Sequence, residues 1–252
     1  MEFNIIGQGD PFLHVTLNRG EKIYCESNSM VTMDATLELK AKMQGGFFSS
    51  LARKVANGES FFNQFIEATS GPGETLLSSE LPGDLQILEV GNNKQYYLND
   101  GSFLAATEGV NLESKMQGIG KALFGGTGGF FITKTSGQGT LAVSGLGTMM
   151  ELHITPDNPM VVDNYHVVAW DQTLQYDISL STNKGGFLSN MVNSVTSGEG
   201  VVTKFRGNGK IYVCSRNRGA LVGWVRRETA GNDSKNNTGS NSTNPLGNLF
   251  DN

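Results

Sequence analysis

The feature that most constrains the fold of this chain is a glycine-containing pattern that occurs three times along its 252 residues. It reads Leu-Lys-Ala-Lys-Met-Gln-Gly-Gly-Phe-Phe at 39–48, Leu-Glu-Ser-Lys-Met-Gln-Gly-Ile at 112–119, and Leu-Ser-Thr-Asn-Lys-Gly-Gly-Phe-Leu at 180–188. A Gly-x-Gly tripeptide follows each copy, at 71–73, 137–139 and 207–209. Because both landmarks recur at intervals of about 70 residues, the sequence predicts three tandem copies of one unit.

Between the landmarks, apolar and polar residues alternate with the period of two that β-strands impose. Examples are Leu-Gln-Ile-Leu-Glu-Val at 85–90, Glu-Leu-His-Ile at 151–154 and Lys-Ile-Tyr-Val at 210–213. The chain contains 33 glycines but only 6 prolines, which suits many short strands joined by tight turns. We therefore expect an all-β protein of antiparallel sheets in which each Gly-x-Gly forms a hairpin turn.

The period divides the chain into three predicted units and a tail, at 1–80, 81–147, 148–230 and 231–252. The tail is rich in Asn and Ser and nearly free of apolar residues, so it is expected to be disordered. Short helical insertions are expected at one common point of the three units, at 47–55, 119–124 and 187–195.

The Lys-Met-Gln-Gly sequences at 42–45 and 115–118, with Gly-Phe-Phe at 46–48 and the later Gly-x-Gly tripeptides, resemble the mitochondrial-biogenesis AIM family. That family has bacterial and archaeal members of uncharacterised function, and the resemblance covers about residues 1–228. It implies a fold similar to the tryptophan RNA-binding attenuator protein (TRAP). The chain would then contain three TRAP-like β-sandwich units, related to a short double-stranded β-helix, in a pseudo-threefold arrangement. Mitochondrial members are linked to inner-membrane organisation, and the resemblance supplies no catalytic residues and no RNA-binding motif.

The charge balance disfavours nucleic acid as a partner. The net charge is −5, whereas proteins that bind a phosphate backbone usually present a basic stripe. The one local group of arginines consists of Arg216, Arg218, Arg226 and Arg227. We interpret this group as a solvated strand face.

The cysteines and the N-terminal sequence indicate a cytoplasmic protein. Cys25 and Cys214 are too few for a disulfide framework and are expected to be buried, reduced thiols. The first residues, Met-Glu-Phe-Asn, lack the basic and apolar segments of a secretory signal. Apolar runs of the ~20 residues needed to span a bilayer are missing from the sequence.

The glycine-rich stretches do not match nucleotide-binding motifs. A P-loop requires a hydroxyl residue after Gly-Lys, but Ala122 follows Gly120 and Lys121. Gly118 and Gly120 also lack the third glycine of a dinucleotide-binding loop. With no hydrolase elbow around any of the serines either, the sequence predicts neither an enzyme nor a cofactor.

Three polar residues are the candidates for a metal site. His14, Glu89 and His153 stand in similar strand sequences, Leu-His-Val, Leu-Glu-Val and Leu-His-Ile. If those strands faced a common axis, two imidazoles and a carboxylate would converge, a set that binds divalent metals. The alternative, which the alternation favours, is that all three are ordinary outward-facing residues.

The helical insertions contain the candidates for contact with a protein partner or a membrane surface. Apolar side chains at their starts would form knobs on one rim of the molecule. They are Phe47, Phe48, Leu51, Phe187, Leu188 and Met191. The alternative is that they cover the open ends of the β-sandwiches as part of the core.

Three functional hypotheses follow from these features. The leading one is a non-enzymatic scaffold or interaction protein that associates with a membrane surface or a protein complex. The others are a small-ligand or RNA-binding ring protein, which the negative charge disfavours for RNA, and a cryptic cupin-like metal protein, which the scarcity of histidine disfavours. A homo-oligomer is expected because exposed strand edges tend to pair.

Overall fold

A computed structural model describes residues 1–41, 64–117, 130–180 and 201–230 of the chain. These residues form nineteen strands, one 3-10 turn (Asn164–His166) and one α-helix, α1 (Arg218–Ala230). The strands are β1 (Glu2–Ile6), β2 (Phe12–Leu17), β3 (Lys22–Cys25), β4 (Met30–Met33), β5 (Leu37–Ala41), β6 (Gln64–Ala68), β7 (Gly73–Leu77), β8 (Gly83–Val90), β9 (Tyr96–Asn99), β10 (Phe103–Thr107), β11 (Val110–Gln117), β12 (Phe130–Gly137), β13 (Gly139–Leu146), β14 (Met149–Ile154), β15 (Met160–Asp163), β16 (Val167–Asp171), β17 (Gln175–Leu180), β18 (Val201–Arg206) and β19 (Gly209–Cys214). The all-β prediction is confirmed.

The described strands form four sheets. A four-stranded sheet has the order β1-β2-β7-β4, and a three-stranded sheet has the order β15-β18-β17. Two six-stranded sheets have the orders β5-β6-β3-β10-β13-β8 and β11-β12-β9-β16-β19-β14. The strand pairs within them are antiparallel, as the alternation of polar and apolar residues predicts.

The core follows directly from the alternation along the strands. In β2, Leu13, Val15 and Leu17 are fully buried, whereas His14 and Thr16 between them are only partly covered. Leu85 and Leu104 pack in the same apolar cluster as these β2 residues, so the cluster extends from the first strands into β8 and β10. Two further clusters continue the core through the later strands to β19, and the residues from Met1 to Arg216 therefore form one compact unit.

The Gly-x-Gly tripeptides are not hairpin turns, so that prediction is wrong. The strands on either side of each tripeptide, such as β12 and β13, belong to different sheets. Only Gln138 separates β12 from β13, and Gly137 and Gly139 have φ angles of 85° and 150°. Glycine is needed at these left-handed positions to bend the chain sharply from one sheet into the next, where each strand finds a partner distant in sequence.

The arginine-rich end of the described chain is a helix, whereas a strand face was predicted from the sequence. Asn217 precedes α1, and its side-chain oxygen accepts a hydrogen bond from the backbone N–H of Ala220 at 2.8 Å. Its carbonyl accepts from Leu221 at 3.0 Å, which is the first helical hydrogen bond. Asparagine is among the best N-terminal caps, so the cap fixes where α1 begins. The residues from Asn217 onward belong to a second unit of the chain.

The three predicted helical insertions, at 47–55, 119–124 and 187–195, and the predicted tail at 231–252 lie outside the described residues. The predicted boundaries at 80 and 147 fall in the short connections that precede β8 and β14.

Candidate interaction site

The three candidate metal ligands lie on three different strands and have separate partners. Nε2 of His14, on β2, lies 2.9 Å from Oε2 of Glu74. The carboxylate of Glu89, on β8, accepts a hydrogen bond from the Thr140 hydroxyl at 3.3 Å. Nε2 of His153, on β14, lies 3.1 Å from Oε1 of Glu151, and no group of three or more metal-ligating side chains occurs among the described residues.

The strand register also places His14 differently from Glu89 and His153. On the strands that follow the three Gly-x-Gly tripeptides, Glu74, Thr140 and Lys210 occupy corresponding positions. Their partners on the neighbouring strands are Thr16, Glu89 and His153. Thr16, two residues beyond His14, is therefore the counterpart of Glu89 and His153.

Glu151 is the centre of the most connected polar cluster on these strands. Its carboxylate lies 2.7 Å from Nζ of Lys210 and 3.1 Å from Nε2 of His153. The hydrogen bond from Lys210, with smaller contributions from Tyr212 and His153, lowers the pKa of Glu151. Burial raises the pKa of Tyr212, so its hydroxyl stays protonated and donates to the same carboxylate. A carboxylate held ionised in this way serves as an ion-pair partner and not as a general acid.

Both cysteines are buried thiols, as the sequence predicts. The Cys25 side chain is fully enclosed in the core cluster that includes Leu13 and Ile23. Burial raises the pKa of Cys25 from its ordinary value of 9.0 to about 11, and it also raises that of Cys214. Because the thiolate is the reactive form, neither residue has the properties of a catalytic or redox-active cysteine.

We expect Cys25 of the folded protein to resist thiol reagents at mildly alkaline pH. A rise of about two units in its pKa leaves about 100-fold less thiolate than an exposed cysteine has, in addition to the steric barrier. The same shift implies that the free energy of unfolding falls as the pH rises from 9 towards 11, because the unfolded thiol ionises first. Timed reaction with a chromogenic disulfide, before and after unfolding, measures the effect. Rapid modification of Cys25 in the folded chain would contradict it.

The candidate contact residues Phe47, Phe48, Leu51, Phe187, Leu188 and Met191 lie outside the described residues. A different apolar surface is present on α1. Trp224 is 54% exposed, and Val222 and Val225 on the same helix are 42% and 43% exposed. Large apolar side chains are seldom left in water together on one short helix, and such groups commonly mark contact sites.

The charged residues of α1 are mostly basic. The helix contains three arginines and one acidic residue: Arg218, Arg226, Arg227 and Glu228. Arginine side chains in general can cover apolar surface with their methylene groups while keeping the charge in water. The helix thus combines an exposed tryptophan with a net positive charge. Among the described residues, no helix is long and apolar enough to cross a membrane.

Helix α1 was not predicted from the sequence because its composition is ambiguous. Gly219 and Gly223 disfavour a helix, and Val222 and Val225 are β-branched residues that favour strands. The signal that favours the helix is Asn217 as an N-terminal cap, followed by apolar residues at the spacing of Leu221 and Val225.

Comparison with known proteins identifies the family. The family model described as mitochondrial biogenesis AIM24 matches residues 3–216. The chain belongs to the AIM24 family. An uncharacterized protein of Streptococcus pyogenes serotype M6 is 38% identical over 224 residues, covering 86% of each chain. The crystal structure of another S. pyogenes protein matches with a TM-score of 0.71 and 33% identity, over 90% of this chain and 99% of that one.

The AIM24 match ends at Arg216, where the compact unit that begins at Met1 also ends. The strands of this AIM24 protein are therefore the part that the family model describes. Helix α1 begins directly after that part, at Arg218. The AIM resemblance predicted from the Lys-Met-Gln-Gly and Gly-x-Gly landmarks is confirmed.

Proposed function

We propose that this AIM24 protein is a non-enzymatic scaffold that binds the surface of an anionic membrane through α1. Its body, in this proposal, is built from three tandem TRAP-like units, and α1 is the element that makes contact. The observation that supports the proposal most directly is the exposure of Trp224 beside three arginines on one helix. The experiment that tests it is vesicle flotation with variants of α1.

The length and composition of α1 support a role that depends on binding. Helices of fewer than about 12–15 residues are marginal in water by themselves, and each internal glycine costs about 1 kcal/mol relative to alanine. Helix α1 has 13 residues, of which Gly219 and Gly223 are two. Burial of its exposed apolar side chains in a lipid interface would stabilise it, and the arginines would face the phosphate groups.

The strand pairing supports the three tandem units of the body. The first strand after each predicted boundary, or β2 in the first unit, pairs with the strand that follows Gly-x-Gly: β2 with β7, β8 with β13, and β14 with β19. The strands before and after the first glycine landmark of each unit, at 45, 118 and 185, pair in the same way: β5 with β6, β11 with β12, and β17 with β18. The corresponding strands thus have corresponding partners.

We expect wild-type protein to float with vesicles of phosphatidylcholine and phosphatidylglycerol and to bind much less to phosphatidylcholine alone. Removing the charges with Arg226→Ala and Arg227→Ala together should weaken binding about 30-fold, because each arginine near an anionic surface contributes about 1 kcal/mol. Trp224→Ala should weaken it about tenfold by removing apolar area that leaves water on binding. High salt should reduce binding of the wild type, since it screens the arginines.

The matched control is Met150→Ala on β14, because Met150 is the most exposed large apolar residue among the described strands, at 62%. It should bind like the wild type. If wild type does not float with anionic vesicles, or floats equally well after the arginines are removed, α1 is not a membrane-binding element. In that case a photo-crosslinking residue at position 224 tests the alternative partner, a protein complex that contacts α1.

The two alternatives from the sequence gain less support. A cupin-like metal site would need convergent ligands, but His14, Glu89 and His153 have separate partners. For an RNA-binding ring, the strands offer mixed charge, with Glu151, His153 and Lys210 together on one surface.

A further inference from the structure

Two pairings join strands that are distant in sequence, and we call each of them a junction. In the first, β3 pairs with β10, with Cys25 opposite Ala105 and Tyr24 opposite Ala106. In the second, β9 pairs with β16 in the same antiparallel way, with Leu98 opposite Ala169. Each junction turns two smaller groups of strands into one six-stranded sheet.

In its strand pairing, β4 corresponds to β10 and β16, and β15 corresponds to β3 and β9. β4, β10 and β16 pair with β7, β13 and β19, and each has a register shift at the same place, which lies between Met30 and Thr32 in β4. β15 pairs with β18 as β3 pairs with β6 and β9 with β12. β4 and β15 are therefore the two halves of a third junction of the same kind.

In the described structure this third junction is not made. β4 is the last strand of the four-stranded sheet, and β15 is the first strand of the three-stranded sheet. Val31 of β4 is 48% exposed, whereas Leu104 and Val168 at the corresponding positions are at most 1% exposed. Val161 of β15 is 42% exposed. The position that Leu104 and Val168 bury in the other junctions is thus half exposed in β4.

The backbone of β4 also has hydrogen-bonding groups directed at the open side. The N–H of Asp34 donates to the carbonyl of Glu74 at 3.0 Å, towards β7. Successive residues of an antiparallel strand direct these groups to opposite sides, so those of Met33 point away from β7. In the first junction the same side of β10 pairs with the chain at β3, and there the backbone N–H of Glu26 donates a hydrogen bond to the carbonyl of Leu104 at 2.8 Å.

Neither open edge has the protection that exposed edges normally have. Natural edge strands usually carry charged residues or proline, which prevent pairing with other strands. β5, β8, β11, β14 and β17, the other edges of the sheets beside β1, each contain a charged residue. β4 reads Met-Val-Thr-Met and contains none, and β15 has only its final residue, Asp163.

We propose that β15 of a second copy of this chain pairs with β4 and forms the third junction between the two copies. By correspondence with the internal junctions, Thr32 lies opposite Val162, Met33 opposite Val161 and Asp34 opposite Met160. The second copy is the occupant because the chain itself encodes both halves of the junction in matching register. Each copy has one β4 and one β15, so the contact assembles the chains head to tail, into a closed ring or a filament.

Cysteine cross-linking tests the pairing and its register. Thr32 and Val162 form a pair without direct hydrogen bonds in the proposed register, the closer type of antiparallel pair, which suits a disulfide. An equal mixture of Thr32→Cys and Val162→Cys chains should give covalent dimers under mild oxidation, and neither variant alone should do so. The native cysteines are buried and do not interfere. Absence of dimers in the mixture would overturn the proposal.

A chain with both substitutions distinguishes a second copy from closure within one chain. Cross-linked dimers and larger species support the proposal. A disulfide formed within single chains, seen as a faster-migrating monomer, would show that the chain closes its own junction and would overturn it.

The substitution Val31→Glu tests the assembly without cross-links. It places a negative charge opposite Asp163 in the junction, so the mass in analytical ultracentrifugation should fall from that of an oligomer to that of one chain. The melting temperature should stay close to that of the wild type, because Val31 is half exposed in the single chain. Met150→Glu, on the charged edge strand β14, is the matched control and should remain oligomeric. A wild-type protein that sediments as a single chain would overturn the proposal, whatever the outcome of the membrane assay.

Discussion

Replacing Trp170 with alanine is expected to destabilise the protein by about 4 kcal/mol and to lower its melting temperature by about 10 °C. Trp170 is 1% exposed and lies on β16, opposite Tyr97 of β9. Its ring centroid lies 5.6 Å from that of Tyr97, 5.2 Å from Tyr176 and 5.6 Å from Phe205. Alanine would leave a cavity among three aromatic rings and weaken the pairing of β9 with β16, one of the two junctions within the six-stranded sheets.

Trp170→Phe is the matched control for this substitution. Nε1 of Trp170 finds no hydrogen-bond acceptor among the described residues, so phenylalanine removes ring volume without breaking a hydrogen bond. The cost should be about 1 kcal/mol, because the aromatic contacts are largely kept. Urea unfolding followed by circular dichroism measures both variants. Equal stabilities of the alanine and phenylalanine variants would contradict the role of the aromatic cluster.

The individual strands could be predicted from the sequence because burial on one face of a sheet leaves a period of two. β2 is the clearest example, since Leu13, Val15 and Leu17 are buried whereas His14 and Thr16 are only partly covered. That signal is local, and it needs no knowledge of which strand lies alongside.

The partners of the strands could not be predicted, because pairing is decided by packing between distant segments. Lys-Ile-Tyr-Cys of β3 gives no sign that it pairs with β10. The Gly-x-Gly tripeptides show the same limit. Glycine indicates a sharp change of direction, but a hairpin and a passage to another sheet both need one, and only the partners of the flanking strands distinguish them.

The candidate metal ligands illustrate a subtler limit. A shift of two residues along a strand keeps every side chain on the same face, so the alternation of polar and apolar residues cannot detect it. Alignment of the three sequence units places His14 with Glu89 and His153. In the structure Thr16, not His14, lies opposite Glu74, the first residue after the Gly-x-Gly tripeptide. Helix α1 was missed for a different reason, since its two glycines and its valines lower the helical signal that the Asn217 cap supplies.

The other substitution with a large expected effect is Gly83→Ala, at the first residue of β8. Gly83 lies opposite Leu146 of β13. An alanine Cβ at this position would overlap the carbonyl oxygen of Gly145 and lie 2.8 Å from the backbone nitrogen of Gly147. Because both neighbours are backbone atoms, no side chain can rotate to relieve the clash, and β8 must move away from β13. We expect a loss of about 3 kcal/mol.

Gly91→Ala, at the other end of β8, separates the clash from the general effect of replacing a glycine. A Cβ at Gly91 would meet nothing within 4 Å, and the φ angle there is not left-handed, so the change should stay within about 0.5 kcal/mol. Thermal unfolding should therefore show Gly83→Ala melting about 10 °C below Gly91→Ala. If the two variants melted together, the close approach of β8 to the end of β13 would not be needed for stability. A gap of the expected size would show that β8 requires a residue without a side chain where the chain passes from β7, in the four-stranded sheet, into the six-stranded sheet that contains β8 and β13.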